Sequence, residues 1–147
     1  MRSAGRCRFW APPNDYLANA ASERDEEEAM KYLCLICIEE KKLDALSGSE
    51  FDALYREGLA YEEELRRSGH FVMAQALQPV QTATTVRIRN GRVSTTDGPF
   101  AETREQVGGF FLVDARDLNE AIRVASKIPS ARLGCVEVRP IRELGQR

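Results

Sequence analysis

Two helix starts, each set between strand-like apolar runs, do most to limit what this chain can fold into. Ser47-Gly48-Ser49-Glu50 has capping-box spacing, a serine followed three residues later by a glutamate, and Asp117 stands in the same relation to Glu120. After the first start, Phe51, Leu54, Tyr55, Gly58, Tyr61 and Leu65 recur at three and four spacing. That period predicts a helix to about Arg67 with this face inward, and Ser68-Gly69 stops it. Gly58 on the inner face predicts close backbone packing, since glycine otherwise costs a helix about 1 kcal/mol against alanine. After the second start, Leu118, Ala121, Ile122, Ala125 and Ile128 make the apolar face of a shorter helix that ends at Pro129.

The strands fall around these helices. Lys31 to Ile38 is nearly all apolar, as expected of a strand covered on both faces, and a polar loop follows it. A second strand runs from about His70 to Leu77. Thr84 to Arg89 alternates, with Val86 and Ile88 on one side and Thr85, Arg87 and Arg89 on the other. Asn90-Gly91 then signals a hairpin returning through Arg92 to Thr96. Gly108 to Val113 and Leu133 to Ile141 complete the set. With the extra hairpin set aside, the order is β-α-β-β-α-β, the ferredoxin-like α+β pattern of an antiparallel sheet with both helices on one face. The helix-free face is apolar, and a second copy packed sheet to sheet, an isologous homodimer, is the expected cover.

The chain of 147 residues fits one domain, placed at 30–147, with residues 1–29 as an extension. Pro12 and Pro13 break structure, and the acidic run from Glu23 to Glu28 reads as solvated. The expectation is a flexible tail, at most with a marginal helix over Tyr16 to Glu28, or a mis-assigned start ahead of Met30. The net charge of −2 resides entirely in this extension, so the domain is neutral and lacks the basic stripe of a nucleic-acid binder. The longest apolar run, Tyr32 to Ile38, is far short of the ~18–20 residues that span a bilayer. Neither nucleic acid nor membrane is expected as a partner, and the cytoplasm is the default location.

Cys34-Leu35-Ile36-Cys37 has C-x-x-C spacing, but it lies on a strand, where positions three apart point to opposite sides. With one histidine in the chain there is no second ligand set for a metal. The cysteines Cys7, Cys34, Cys37 and Cys135 are therefore read as small core hydrophobes, and neither metal nor cofactor is expected.

Asp97-Gly98-Pro99-Phe100-Ala101-Glu102-Thr103-Arg104-Glu105 packs a turn, an aromatic residue and four ionisable groups into nine residues. It closely resembles the motif that names the DGPF branch of the YCII-related family. Met30-Lys31-Tyr32-Leu33, Gln78-Pro79 with Ala83 to Arg87, Gly108-Gly109-Phe110-Phe111 and Val136 to Pro140 match that pattern in the same order, covering about residues 30–143. The resemblance implies a dimeric α+β barrel of ferredoxin-like protomers, mostly of unassigned activity, and allows an accessory role in transcriptional regulation. YCII-type relatives with proposed catalysis resemble a His–Asp dyad system whose histidine stands near the start of helix one. Here that stretch, Ser49 to Tyr55, has none, and the single histidine, His70, follows the far end of the helix.

In the motif, Asp97, Gly98 and Pro99 supply turn chemistry. The plain alternative to a functional role is a chain reversal that anchors Phe100 in the core. The functional reading is a cleft beside the motif in which Thr85, Arg87, Asp97, Phe100, Glu102, Arg104 and Glu105 bind a small molecule. In that cleft Arg87 pairs with Asp97 or Glu102, or takes a substrate carboxylate on its fork. If the protein is a cofactor-free lyase or hydrolase, Asp97 or Glu102 is the base and Arg87 the electrostatic clamp. A third possibility is a structural partner module. His70 is read as a helix-terminus or solvent group.

Overall fold

Strand β1 (Met30–Ile38) lies at the centre of the structure, a computed structural model that describes residues 29–143. The readings made above for residues 1–28 lie outside the described residues. Along β1 the burial alternates: Tyr32, Cys34, Ile36 and Ile38 are buried, while Leu33, Leu35 and Cys37 are half-buried on the other face. A short helix, α1 (Glu40–Asp44), follows, then α2 (Gly48–Arg67), β2 (Phe71–Ala76), β3 (Thr84–Arg89), β4 (Arg92–Asp97), β5 (Gln106–Ala115), α3 (Leu118–Ser126) and β6 (Gly134–Pro140). Single 3-10 turns at Val80–Thr82 and Pro129–Leu133 precede β3 and β6.

Strand β1 pairs antiparallel with β5 on one side and β6 on the other, and β2 adds to the outer edge of β5, giving the order β2-β5-β1-β6. This is the strand order of a ferredoxin-like α+β fold. Strands β3 and β4 form a separate two-stranded sheet, turned by Asn90 and Gly91, both at positive φ.

The helices start as the side chains dictate. The Ser47 side chain accepts from the Glu50 N–H while Glu50 accepts from the Ser47 N–H at 2.8 Å, a complete capping box. Asp117 accepts from the Glu120 N–H at 2.8 Å. Helix α1 replaces the expected polar loop. It has no side-chain cap, so no start signal marks it.

The core lies between one sheet face and the two longer helices. Tyr61 and Leu65 of α2 and Ala121, Val124 and Ala125 of α3, with Ile128 just beyond it, pack on Tyr32, Cys34, Ile36, Phe111 and Val113. The buried Tyr61 hydroxyl donates to the Val124 carbonyl at 2.7 Å and ties the two helices together. Only part of each expected apolar face is used. Phe51 and Tyr55 on α2, and Leu118 and Ile122 on α3, are exposed, because the sheet lies beneath only the far half of α2 and one side of α3. Val124 takes the core position that the sequence pattern did not assign. Gly58 also departs from expectation, since a Cβ placed there meets nothing within 4 Å and its backbone makes no close packing.

Gly134 makes the close approach instead. A Cβ at this position would lie 2.0 Å from the Cys37 carbonyl oxygen, so β6 can start against the end of β1 only if this residue is glycine. That contact sets Cys135 directly opposite Cys37.

These two glycines give opposite expectations. Gly134→Ala destabilises by about 3 kcal/mol or more through overpacking against backbone. Gly58→Ala stabilises by up to about 1 kcal/mol by helix propensity. Urea unfolding of the two variants checks both signs.

Candidate functional site

Three segments distant in sequence meet at the end of the sheet where β1 stops. Glu39 follows β1, the loop from Ala101 to Glu105 enters β5, and Cys135 stands second in β6. Between them lies a cavity of about 510 Å³ lined by Cys37, Glu39, Lys42, Thr103, Arg104, Glu105 and Cys135. A neighbouring hollow of about 560 Å³ shares Glu39, Thr103 and Arg104 with it and reaches Glu40, Lys41, Val80 and Gln106.

The loop is stiffened by its own polar groups. The Gln106 side-chain amide donates to the carbonyls of Ala101 and Thr103, both at 2.9 Å, and the Thr103 hydroxyl donates to the Glu105 carbonyl at 2.6 Å. Arg104 is thereby presented to Glu39, with Nε 3.2 Å from the carboxylate, and Lys42 approaches the same carboxylate at 3.5 Å. The Arg104 hydrogen bond, more than the charge of Lys42, holds the Glu39 carboxyl below its ordinary range, so it is ionised at neutral pH. On the opposite wall the Cys135 thiol donates to Glu105 Oε2 at 3.2 Å. That bond, with burial and the Glu105 charge, pushes the Cys135 thiol up to about 11. Burial raises the Cys37 thiol as well.

Of the residues expected in one cleft, Arg104 and Glu105 line this cavity. The others lie outside its lining. Thr85 donates to the Gly98 carbonyl at 2.9 Å, and the Gly98 N–H donates to the Ala83 carbonyl at 2.7 Å. Together these bonds fasten the Asp97-Gly98-Pro99 turn, with Gly98 at φ 101°, to the base of the hairpin. Asp97 is exposed opposite Thr84, and Glu102 is exposed in the loop. Among the described residues no ion pair joins Arg87 to either carboxylate. The Arg87 guanidinium instead stands 5.9 Å from the centre of the Phe100 ring. Phe100 itself is 82% exposed, so the motif does not anchor it in the core.

The cysteines also depart from their expected role. Cys34 is fully buried among core residues, as a small hydrophobe is. Cys37 and Cys135 are not core residues. They share the helix-free face and pair across strands in register.

The chain matches the YCII-related domain over residues 30–145. It belongs to the YCII-related family. An uncharacterized protein of Rhizobium meliloti (strain 1021) is 34% identical over 114 residues, which cover 76% of this chain and 92% of that protein. In this YCII-related chain His70 is remote from the cavity. Its carbonyl accepts from the Asp114 N–H at the other end of β5, and its ring contacts Ser68 at 2.7 Å and Glu120 at 3.6 Å. No described helix is long and apolar enough to cross a membrane.

Glu39, Lys42, Cys37 and Cys135 are the wall residues that sequence reasoning missed. The available signal was strand pairing: in a ferredoxin-like sheet the first strand lies beside the last, so the end of one meets the start of the other. The geometry also makes a chemical statement. Because Glu105 holds Cys135 protonated, iodoacetamide should modify Cys135 slowly at pH 8, and Glu105→Gln should accelerate it several-fold. Peptide mass mapping after timed alkylation reads this directly. An unchanged rate would show that the thiol does not feel this carboxylate.

Proposed function

We propose that this YCII-related protein, of the DGPF branch, binds a small anionic molecule in the cavity beside the second half of the Asp97–Glu105 motif. The observation that carries the reading is the Arg104–Glu39 pair at the cavity wall. An arginine fork held in place by a carboxylate can donate its N–H groups instead to a ligand carboxylate or phosphate that displaces it. Lys42 supplies a second cation on the same wall. The role that fits a binding protein of this size is accessory, in the cytoplasm, with transcriptional regulation as the process that the family resemblance offers.

A second reading is a cofactor-free acid–base enzyme of lyase or hydrolase type. The observation in its favour is that Glu39 and Glu105 line one cavity, with Glu39 kept ionised as a base requires. Asp97 and Glu102, the carboxylates expected to do this work, stand outside that lining.

The protein acts as a homodimer in this proposal. On the helix-free face Leu33 lies beside Leu112 and Leu35 beside Phe110, an apolar centre that no described helix covers. Val86, Ile88 and Val93 are exposed on the hairpin as well. A second copy packed through this face buries the apolar centre and encloses the cavity between two sheets, the dimeric α+β barrel arrangement.

Two measurements test the reading. In a thermal-shift screen of small carboxylates and phosphates, at least one should raise the Tm of the wild type. Stabilisation reaches about 2.7 kcal/mol at a hundredfold excess over Kd, and Arg104→Ala should abolish it while Asp97→Ala retains it. Loss in Asp97→Ala alone would return the site to the hairpin, and turnover of the bound compound would favour the enzyme. Light scattering at micromolar concentration should give a dimer that Phe110→Glu dissociates. A wild-type monomer would contradict the barrel.

A further inference from the structure

The cavity wall holds a feature that ligand binding does not use. Cys37, near the end of β1, and Cys135, near the start of β6, are directly opposed residues of an antiparallel pair. Opposed Cα atoms in such a pair are about 4.5–5.5 Å apart, inside the 4.4–6.8 Å range that a disulfide spans. The alternation of burial places both side chains on the helix-free face, and both line the same cavity. Both are free thiols, and Cys135 is exposed. Cys34, the other half of the C-x-x-C spacing, is buried on the opposite face and takes no part.

We propose that Cys37 and Cys135 are a redox-active cross-strand dithiol that closes to a disulfide by exchange with a small-molecule disulfide. The exposed Cys135 reacts first. Its thiolate attacks one sulfur of the reagent, a new S–S bond forms, the reagent's own S–S bond breaks, and one thiolate leaves and takes up a proton. The Cys37 thiolate then attacks the Cys135 sulfur of the mixed disulfide and expels the second reagent thiolate. The protein loses two electrons and two protons, and the reagent is reduced to two thiols. Closure removes the S–H that Glu105 accepts and ties the end of β1 covalently to the start of β6, on the wall of the cavity. Because the pair lies at an exposed wall, the bond is open to reduction again, as a reversible switch requires.

The test uses the full chain, fully reduced, with Cys7→Ser as a background free of a competing thiol. Native protein is incubated with glutathione disulfide, alkylated, and digested without reduction. The expected product is a single linked species joining the Cys37 and Cys135 peptides, lighter by two hydrogens and restored by dithiothreitol. Its formation should raise the Tm, a rise absent from Cys37→Ser and Cys135→Ser. In Cys37→Ser, Cys135 should stop at the glutathione adduct. The proposal is overturned if the Cys7→Ser protein with Cys37 and Cys135 intact ends with both of these cysteines alkylated, with separate glutathione adducts on each, or with either joined to Cys34. None of these outcomes depends on whether the cavity binds a metabolite.

Discussion

The antiparallel pairing of β1 with both β5 and β6 is the constraint on which the rest of the structure depends. A central strand buried on one face and half-buried on the other fixes which side chains meet the helices and which do not. It also makes the end of β1 a junction. The chain leaves β1 at Glu39, enters β5 after Glu105 and enters β6 beside Cys135, and these three points surround one cavity. Gly134 secures the junction sterically, since any side chain there would collide with the Cys37 carbonyl.

Electrostatics then divide the junction into two walls with different chemistry. On one, Arg104 and Lys42 hold Glu39 ionised. On the other, the carboxylate of Glu105 keeps the Cys135 thiol protonated. The first wall suits recognition of an anion. The second suits a thiol pair that stays reduced until a disulfide reagent reaches it, because the thiolate is the attacking species and here it is scarce. The hairpin, with Thr85 locking the Asp97-Gly98-Pro99 turn, does structural work at its base and leaves Phe100 exposed outside the cavity.

The fold was legible in the sequence wherever the signal was local. Ser47 with Glu50 and Asp117 with Glu120 marked two helices by chemistry that acts over three residues, and Asn90-Gly91 marked the hairpin turn. Helix α1 was illegible because it begins without a capping side chain. The helix faces were read too broadly. Periodicity says that Phe51, Tyr55, Leu118 and Ile122 share an apolar stripe, but not whether the sheet extends beneath them. The site was legible only in part for the same reason. Arg104 and Glu105 fall within the conspicuous motif, whereas Glu39, Cys37 and Cys135 become neighbours only through strand register, which no local pattern encodes. Conversely, Arg87 and Asp97 looked like partners on adjacent segments, yet the geometry gives Arg87 an aromatic ring instead.

The proposed binding place is the junction at the end of β1, and not the hairpin. Backbone amide chemical shifts, followed while a mixture of small carboxylates and phosphates is titrated into the labelled protein, test it most directly. The account predicts perturbations concentrated at Glu39, Arg104, Glu105 and Cys135. Shifts confined to Thr84–Asp97, or none at saturating concentration, would contradict it.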